Sequence, residues 1–176
     1  IFVVIPVFNR WKFTEACLIS LAKQTYTRFR VVVVSHGSTD ETDLRIITDY
    51  KWVTLLKGDN SMWWTAAMNL GTRYSLDQGA DYILTLNNDL VVKADYLLSL
   101  ATAAGTYPKS LIGSVSVNID HPNSVSFAGV RWNRFSAKYS PAVPLHVRYS
   151  DMAAGQPVIH SDLLPGRGTL VPASVF

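Results

Sequence analysis

The sequence predicts an α/β fold: a mostly parallel sheet flanked by helices, followed by a less regular β and loop portion. Three observations carry that reading. Apolar, β-branched runs at Ile1–Val7, Phe29–Val34, Trp52–Leu56 and Tyr82–Leu86 alternate with segments of helical period. The runs at Phe29–Val34 and Ile1–Val7 are apolar on both faces, as strands covered by helices on both sides must be. From Asn118 onward the alternation stops, and proline, glycine, serine and aromatics dominate.

Each element follows from local chemistry. Pro6 falls near the end of the first strand, where a missing N–H matters least. Asn9 and Arg10 turn the chain into a helix running to about Gln24, with Phe13, Cys17, Leu18 and Leu21 as its buried stripe. After the second strand, Ser38 with Glu41 three residues on makes a capping box for a helix carrying Leu44, Ile47 and Tyr50. The third strand leads through Lys57 to Asn60 into a helix over Trp64–Gln78, which Gly79 ends. Tyr82–Leu86 is the fourth strand and Ala94–Ala104 the helix after it. Leu111–Val117 is expected as a fifth strand, and Val125–Val130 as a β piece without a helix partner.

Composition narrows the function classes. The 176 residues fit one domain with a sizeable core. The chain begins at Ile1, directly in strand sequence, and stops at Phe176 just after an apolar run, so it is expected to be a trimmed piece of a longer protein. A net charge of +3 without a Lys/Arg run gives no nucleic-acid track, yet suits a phosphate-bearing ligand. The single cysteine, Cys17, excludes an intrachain disulfide and fits a reducing, cytoplasmic compartment. No apolar run approaches the ~18 residues of a membrane span.

The chemistry-bearing stretch is Leu86-Asn87-Asn88-Asp89, where a buried strand ends in two carboxamides and a carboxylate. In open α/β sheets ligands bind beyond the carboxyl ends of the strands. A carboxylate there can hold a hard divalent cation that bridges to phosphate; Asn-Asn-Asp is also good turn chemistry. Neither G-x-G-x-x-G nor G-x-x-x-x-G-K-[ST] is present, which disfavours dinucleotide oxidoreductases and P-loop NTPases.

Four ordered pieces then carry a resemblance: Ile1 to Arg10, Val31 to Asp40, Asn69-Leu70-Gly71, and Leu86 to Asp89. Together they resemble the family 2 glycosyltransferases of GT-A fold, over nearly the whole chain. Ser61 to Thr65 and Leu164 to Thr169 are similar to a bacterial subgroup acting on cell-surface polysaccharides. The resemblance implies a nucleotide-binding part over 1–117 and the start of an acceptor-side part over 118–176. It implies a nucleotide-sugar donor, a saccharide or lipid-linked acceptor, displacement with inversion, and Mn2+ or Mg2+ as cofactor. A lipid-linked or wall acceptor would bring the domain to the inner face of the plasma membrane.

Position by position, Pro6, Val7, Phe8 and Asn9 would border base and ribose. The loop at Ser35, His36 and Gly37 would meet the base, although the family carries an acid where this chain has Ser35. Asn87 and Asn88 would face the nucleotide, Asn87 toward ribose or ion, and Asp89 would be the metal ligand, one carboxylate where D-x-D offers two. The catalytic base is expected beyond Phe176, since no Asp or Glu between Leu163 and Phe176 could replace the family's acidic motif.

Several residues keep two readings. Trp64, beside Trp63, is either a stacking wall for the donor sugar or part of a buried helix-start cluster. Asp59 either positions base or ribose or is a solvated loop carboxylate. Asn69 and Arg167 are carried as donor- or acceptor-side residues, Arg167 reaching a pyrophosphate or lying in a surface turn. His160-Ser161-Asp162 cannot form a triad, because strand neighbours point oppositely; His160 is a weak further metal candidate. His36, His121 and His146 are expected in exposed loops. A non-catalytic nucleotide- or sugar-binding module of the same fold is the alternative function. A small flavodoxin-like regulator fits the alternation but not the last third.

Overall fold

The computed structural model describes residues 1–144, 147–155 and 158–176. His146 lies outside them. The described chain forms two compact units, one of residues 1–112 with 166–176 and one of 113–165. The segment from Gly166 on, grouped by sequence with the acceptor side, thus belongs to the first unit.

The first unit contains β1 (Phe2–Val7), α1 (Trp11–Ala22), β2 (Arg30–His36), α2 (Thr42–Asp49), β3 (Val53–Gly58), α3 (Trp64–Asp77), β4 (Tyr82–Thr85) and α4 (Tyr96–Thr106). A late strand, numbered β9 (Thr169–Pro172) in chain order, completes it. The sheet order is β3-β2-β1-β4-β9, parallel except for β9, which runs antiparallel to β4. Strand order reverses between β1 and β4, the switch point where α/β sheets open a ligand crevice at their carboxyl ends.

Side chains alternate along the strands and build two cores. Val3, Ile5, Val7, Val31, Val33 and Leu84 pack with Trp11, Leu18 and Leu21 of α1, Ile46 of α2 and Leu97 of α4. Phe2, Val4, Val32, Val34 and Ile83 pack with Ala67 and Met68 of α3. Every residue of β1 is buried, as a central parallel strand requires. Val4 accepts a hydrogen bond from the Leu86 N–H at 3.0 Å, so by the period of two Pro6 also faces β4. Pairing of β1 with β4 ends at Val4, so the nitrogen that cannot donate meets no strand.

Three expectations are corrected. Phe13 is half exposed, lying under the Arg10 guanidinium at 4.4 Å, and Trp11 and Thr14 take the inward positions instead. The reason is the helical period: Trp11, Thr14, Leu18 and Leu21 recur three or four residues apart on one face, and Phe13 lies beside that face. The capping box does not form. Ser38 accepts from the Asn9 N–H at 2.9 Å, and Asp40 accepts from the Thr42 N–H at 3.0 Å. The stretch 111–117 is no strand of the main sheet. Ile112 bonds Leu170 of β9 in both directions, and only Ser116–Val117 (β5) pairs, with β6 (Val125–Phe127) in a separate ribbon. The edge beside β4 is taken by β9, an apolar segment that the strand reading passed over.

The second unit holds β5 and β6, the hairpin β7 (Val130–Asn133) and β8 (Lys138–Pro141), and α5 (Tyr149–Gly155). A cavity of about 200 Å3 lies within it, lined by Val125, Phe127, Val130, Tyr139 and Val143 among others.

Gly71 explains the Asn-Leu-Gly piece. A Cβ there would collide with the Val4 side chain and stand 3.0 Å from Val34 Cγ2, so its absence lets α3 lie directly on β1 and β2. Alanine would gain ~1 kcal/mol of helix propensity but overpack a close interface at a cost of ~1–3 kcal/mol. Gly71→Ala is therefore expected to lower unfolding stability in urea titration, and an unchanged or raised midpoint would count against the close approach.

Candidate functional site at the carboxyl edge of the sheet

The ends of β1, β2, β3 and β4 deliver most of the sequence-chosen residues to one edge. Parallel pairing decides this, since Val7 stands beside Ser35 and Ser35 beside Lys57. The loops that follow hold Phe8 and Asn9, Gly37, Asp59, and Asn87 to Asp89. Arg167 reaches the same edge by the opposite route. Because β9 is antiparallel, its start at Thr169 lies beside Thr85, and the Gly168 N–H donates to the Thr85 carbonyl at 2.6 Å. Arg167 is exposed there, between glycines, of which Gly168 (φ 71°) is left-handed.

The loops after β1 and β2 are tied to each other by side chains. Asn9 Oδ1 accepts from the N–H groups of Thr39 and Asp40, at 2.7 and 3.2 Å. Ser38 Oγ returns the contact by accepting from the Asn9 N–H. Asp40 accepts through Oδ2 from Trp11 N–H at 3.2 Å and through Oδ1 from Thr42 N–H, so one carboxylate serves the first residues of α1 and α2. Burial works to raise its pKa, and the hydrogen bonds from Thr42, Trp11 and Arg10 outweigh that, holding it below 3.8. Two left-handed residues in succession, one of them arginine, need such over-determination.

Phe8, 49% exposed, stacks on His36 with ring centroids 5.6 Å apart. His36 thus closes β2 half-buried rather than standing in a free loop. Ser35 is 2% exposed, and its hydroxyl has no partner among the described residues. An unpaired buried hydroxyl is costly. Gly37 (φ 99°) is required twice over: it is left-handed, and a Cβ would come within 2.9 Å of the Asn60 backbone. The loops after β2 and β3 are therefore in direct contact. Asp59 is fully exposed and accepts from Ser61 N–H at 2.8 Å and from the Ser61 hydroxyl; those bonds lower its pKa.

After β4 three residues divide. Asn88 Nδ2 donates to Thr14 Oγ1 at 3.0 Å, fastening the loop to α1, a contact no sequence motif announced. Asn87 Oδ1 accepts from the Trp64 indole N–H at 3.0 Å. Asp89 is exposed, and its charge joins burial in pushing the Cys17 thiol up to about 12. Cys17 is buried filler, as its helical position predicted. The two tryptophans do not form a buried cluster: Trp63 is 83% and Trp64 39% exposed. The Trp64 ring abuts the turn at Gly166, where a Cβ would stand 3.0 Å from it. Asn69 is exposed on the second turn of α3. Sequence reasoning passed over Ser38 and Asp40 as organisers of this edge; the Asx chemistry of Asp40 ahead of Thr42 was the available signal.

The residues fit a cation completed by its ligand. Among the described residues no three of His, Cys, Asp or Glu gather into a protein cage. Mg2+-type ions are commonly held by one or two carboxylates plus substrate phosphates, which Asp89 alone can begin. His160 lies in the second unit.

Comparison with known proteins bears on the family and the fold. Residues 2–163 match the profile of Glycosyl transferase family 2. The glycosyltransferase GlyG of Streptococcus pneumoniae serotype 4 is 31% identical over 102 residues, 56% of this chain and 33% of that protein. S. aureus TarS 1–349 superposes with a TM-score of 0.64 at 19% identity, over 99% of this chain and 47% of that one. TarS in complex with UDP-GlcNAc matches with 0.52 at 23% identity, over 67% and 36% of the two chains. The mannosyltransferase PcManGT of Pyrobaculum calidifontis, in complex with GDP-Man and Mn2+, matches with 0.56 at 20%, over 66% and 35%. The fold is that of the GT-A glycosyltransferases. The chain spans a third of the curated relative and no more than about half of these solved chains.

The Asp40 double cap gives a pH-dependent expectation. Its folded pKa is depressed, so its contribution is present above the unfolded value of 3.8 and is lost as pH falls through the folded value. Asp40→Asn, which keeps one acceptor oxygen and loses the other, is expected to lower stability by about 1 kcal/mol at pH 7, with the gap to wild type closing below pH 3.8. Thermal melts from about pH 2.5 to about pH 7 check it, and a gap independent of pH would refute the assignment.

Proposed function

The chain belongs to glycosyl transferase family 2, and on that premise we propose that it binds a nucleoside diphosphate sugar at the carboxyl edge of its sheet for transfer to an acceptor hydroxyl. The observation that carries this is the gathering of four strand-end loops at one edge, with Phe8 stacked on His36 and a single unencumbered carboxylate, Asp89. Phe8 and His36 offer a flat apolar surface to a base. Ser35 is a neutral, buried residue where the resemblance leads one to expect an acid, so on this reading the end of β2 brings no carboxylate to the base.

Asp89 would hold a divalent cation whose remaining positions belong to the two phosphates, and Arg167 at the same edge supplies a second positive group. When bound, such a cation stabilises the charge of the departing diphosphate. PcManGT, which shares the fold, is a complex with GDP-Man and Mn2+; that likeness supports the reading. Displacement at the anomeric carbon with inversion requires the acceptor hydroxyl to lose its proton to a base within hydrogen-bond reach. At this edge Asp40 serves two helix starts and Asp59 serves Ser61, while Asp89 serves the cation. In keeping with the family it resembles, the reading assigns the base to a group outside residues 1–176.

A peripheral membrane contact belongs to the same reading. Residues 121–150 contain Arg131, Arg134, Lys138 and Arg148 and no acid. The hairpin β7–β8 exposes Trp132, Phe135 and Tyr139 among them, a combination suited to an anionic bilayer surface. Such a contact would place the domain in the cytoplasm against the inner leaflet. Co-sedimentation with phosphatidylserine vesicles, lost in Arg134→Gln/Lys138→Gln, is expected; equal recovery on neutral vesicles would remove this contact from the reading.

Calorimetric titration with UDP, dTDP, GDP and CDP, each with Mn2+ or with EDTA, tests the donor site. One nucleotide is expected to bind with Mn2+, and Asp89→Ala to weaken that binding roughly tenfold or more, about 1.4 kcal/mol. A folded protein that binds none of the four would overturn the assignment, and sugar transfer by residues 1–176 alone would overturn the placing of the base.

A further inference from the structure

The contact between Trp64 and Asn87 fixes something the sequence left open, namely which end of the Asn87 amide meets the ligand. An indole N–H can only donate. It stands 3.0 Å from Asn87 Oδ1, and the reversed amide would set N–H against N–H. The Trp64 ring is held from two sides, by its place as the first residue of α3 and by the turn at Gly166, whose missing Cβ leaves room for it. Asn87 is half-buried, and its Nδ2 has no partner among the described residues. The neighbouring Asn88 differs, since its Nδ2 is bonded to Thr14.

We infer that Trp64 is a positioning residue that turns the Asn87 amide so that Nδ2 donates to an oxygen of the nucleoside diphosphate, and that Asn87 is not a ligand of the cation. The inference rests on the nucleotide-sugar reading of this edge. Its chemistry follows from charge. A carboxylate at position 87 would repel the diphosphate unless a cation lay between them, whereas a carboxamide with its donors outward attracts a phosphate oxygen directly. The three residues after β4 then have three separate tasks: Asn87 donates to the ligand, Asn88 fastens the loop, and Asp89 alone carries the negative charge. Part of the diphosphate affinity is thereby independent of metal.

Measurements on the best-bound nucleotide of the four above, in EDTA and in Mn2+, test this. In EDTA, Asn87→Ala and Trp64→Phe are each expected to weaken binding about three- to tenfold, the worth of one hydrogen bond. The double variant should be no weaker than Asn87→Ala, because both changes remove one interaction. Asn87→Asp should bind weakest in EDTA and recover most on adding Mn2+. Trp64→Phe keeps the aromatic ring against Gly166, and its melting temperature reports whether the fold is intact; a purely structural role would weaken binding equally in all backgrounds. Additive losses, or an Asn87→Ala loss confined to Mn2+, would overturn the inference while leaving the donor site standing. Absence of any nucleotide binding by the wild type would overturn both.

Discussion

The edge of the sheet depends on one reciprocal set of hydrogen bonds. Asn9 reaches across to the backbone of Thr39 and Asp40, Ser38 reaches back to Asn9, and Asp40 bonds the first residues of both α1 and α2. Without it, the left-handed pair at Asn9 and Arg10 would cost roughly 1–2 kcal/mol per residue with nothing to hold it. That pair leads the chain into α1, on which Trp11 and Thr14 face inward and Phe13 outward. Thr14 in turn receives the Asn88 amide. The latch between two loops and the loop after β4 are thus fastened to the same helix.

The second constraint is close approach. Gly71 lets α3 rest on Val4 and Val34, and Gly37 lets the loop after β2 touch Asn60. Both are places where a methyl group would push apart surfaces that the site needs together. Gly71 fixes the seat of α3 on the sheet, and Trp64 begins that helix, so a glycine deep in the packing bears on where an indole stands at the rim. β9 adds the last piece by running back along β4 and bringing Gly166 and Arg167 to the same rim.

The charge arrangement is spare. Asp40 and Asp59 are each bonded within the protein, which leaves Asp89 as the acid suited to a cation. Carboxamides take the adjoining places, and Ser35 near the end of β2 is buried and neutral. On the nucleotide-sugar reading proposed above, such an edge would oppose a diphosphate with few charges of its own, and donors such as the Asn87 amide would gain weight in proportion.

Read alone, the sequence carries the alternation of strand and helix, the buried character of β1 and β2, and the identity of the strand ends at the candidate site. These are local matters, since periodicity and β-branched runs are written in neighbouring residues. It did not show that Thr169–Pro172 is the strand beside β4, because antiparallel pairing with a partner some eighty residues earlier leaves no local mark, whereas 111–117 looked equally apolar. The capping box at Ser38 and Glu41 was legible and did not form, because Asn9, distant in sequence, competes for the same hydroxyl. Likewise the motif placed Asn87, Asn88 and Asp89 together, but only tertiary contacts with Thr14 and Trp64 separated their tasks. Hydrogen bonds between side chains from different loops are set by where the sheet puts those loops, and no spacing along the chain encodes that.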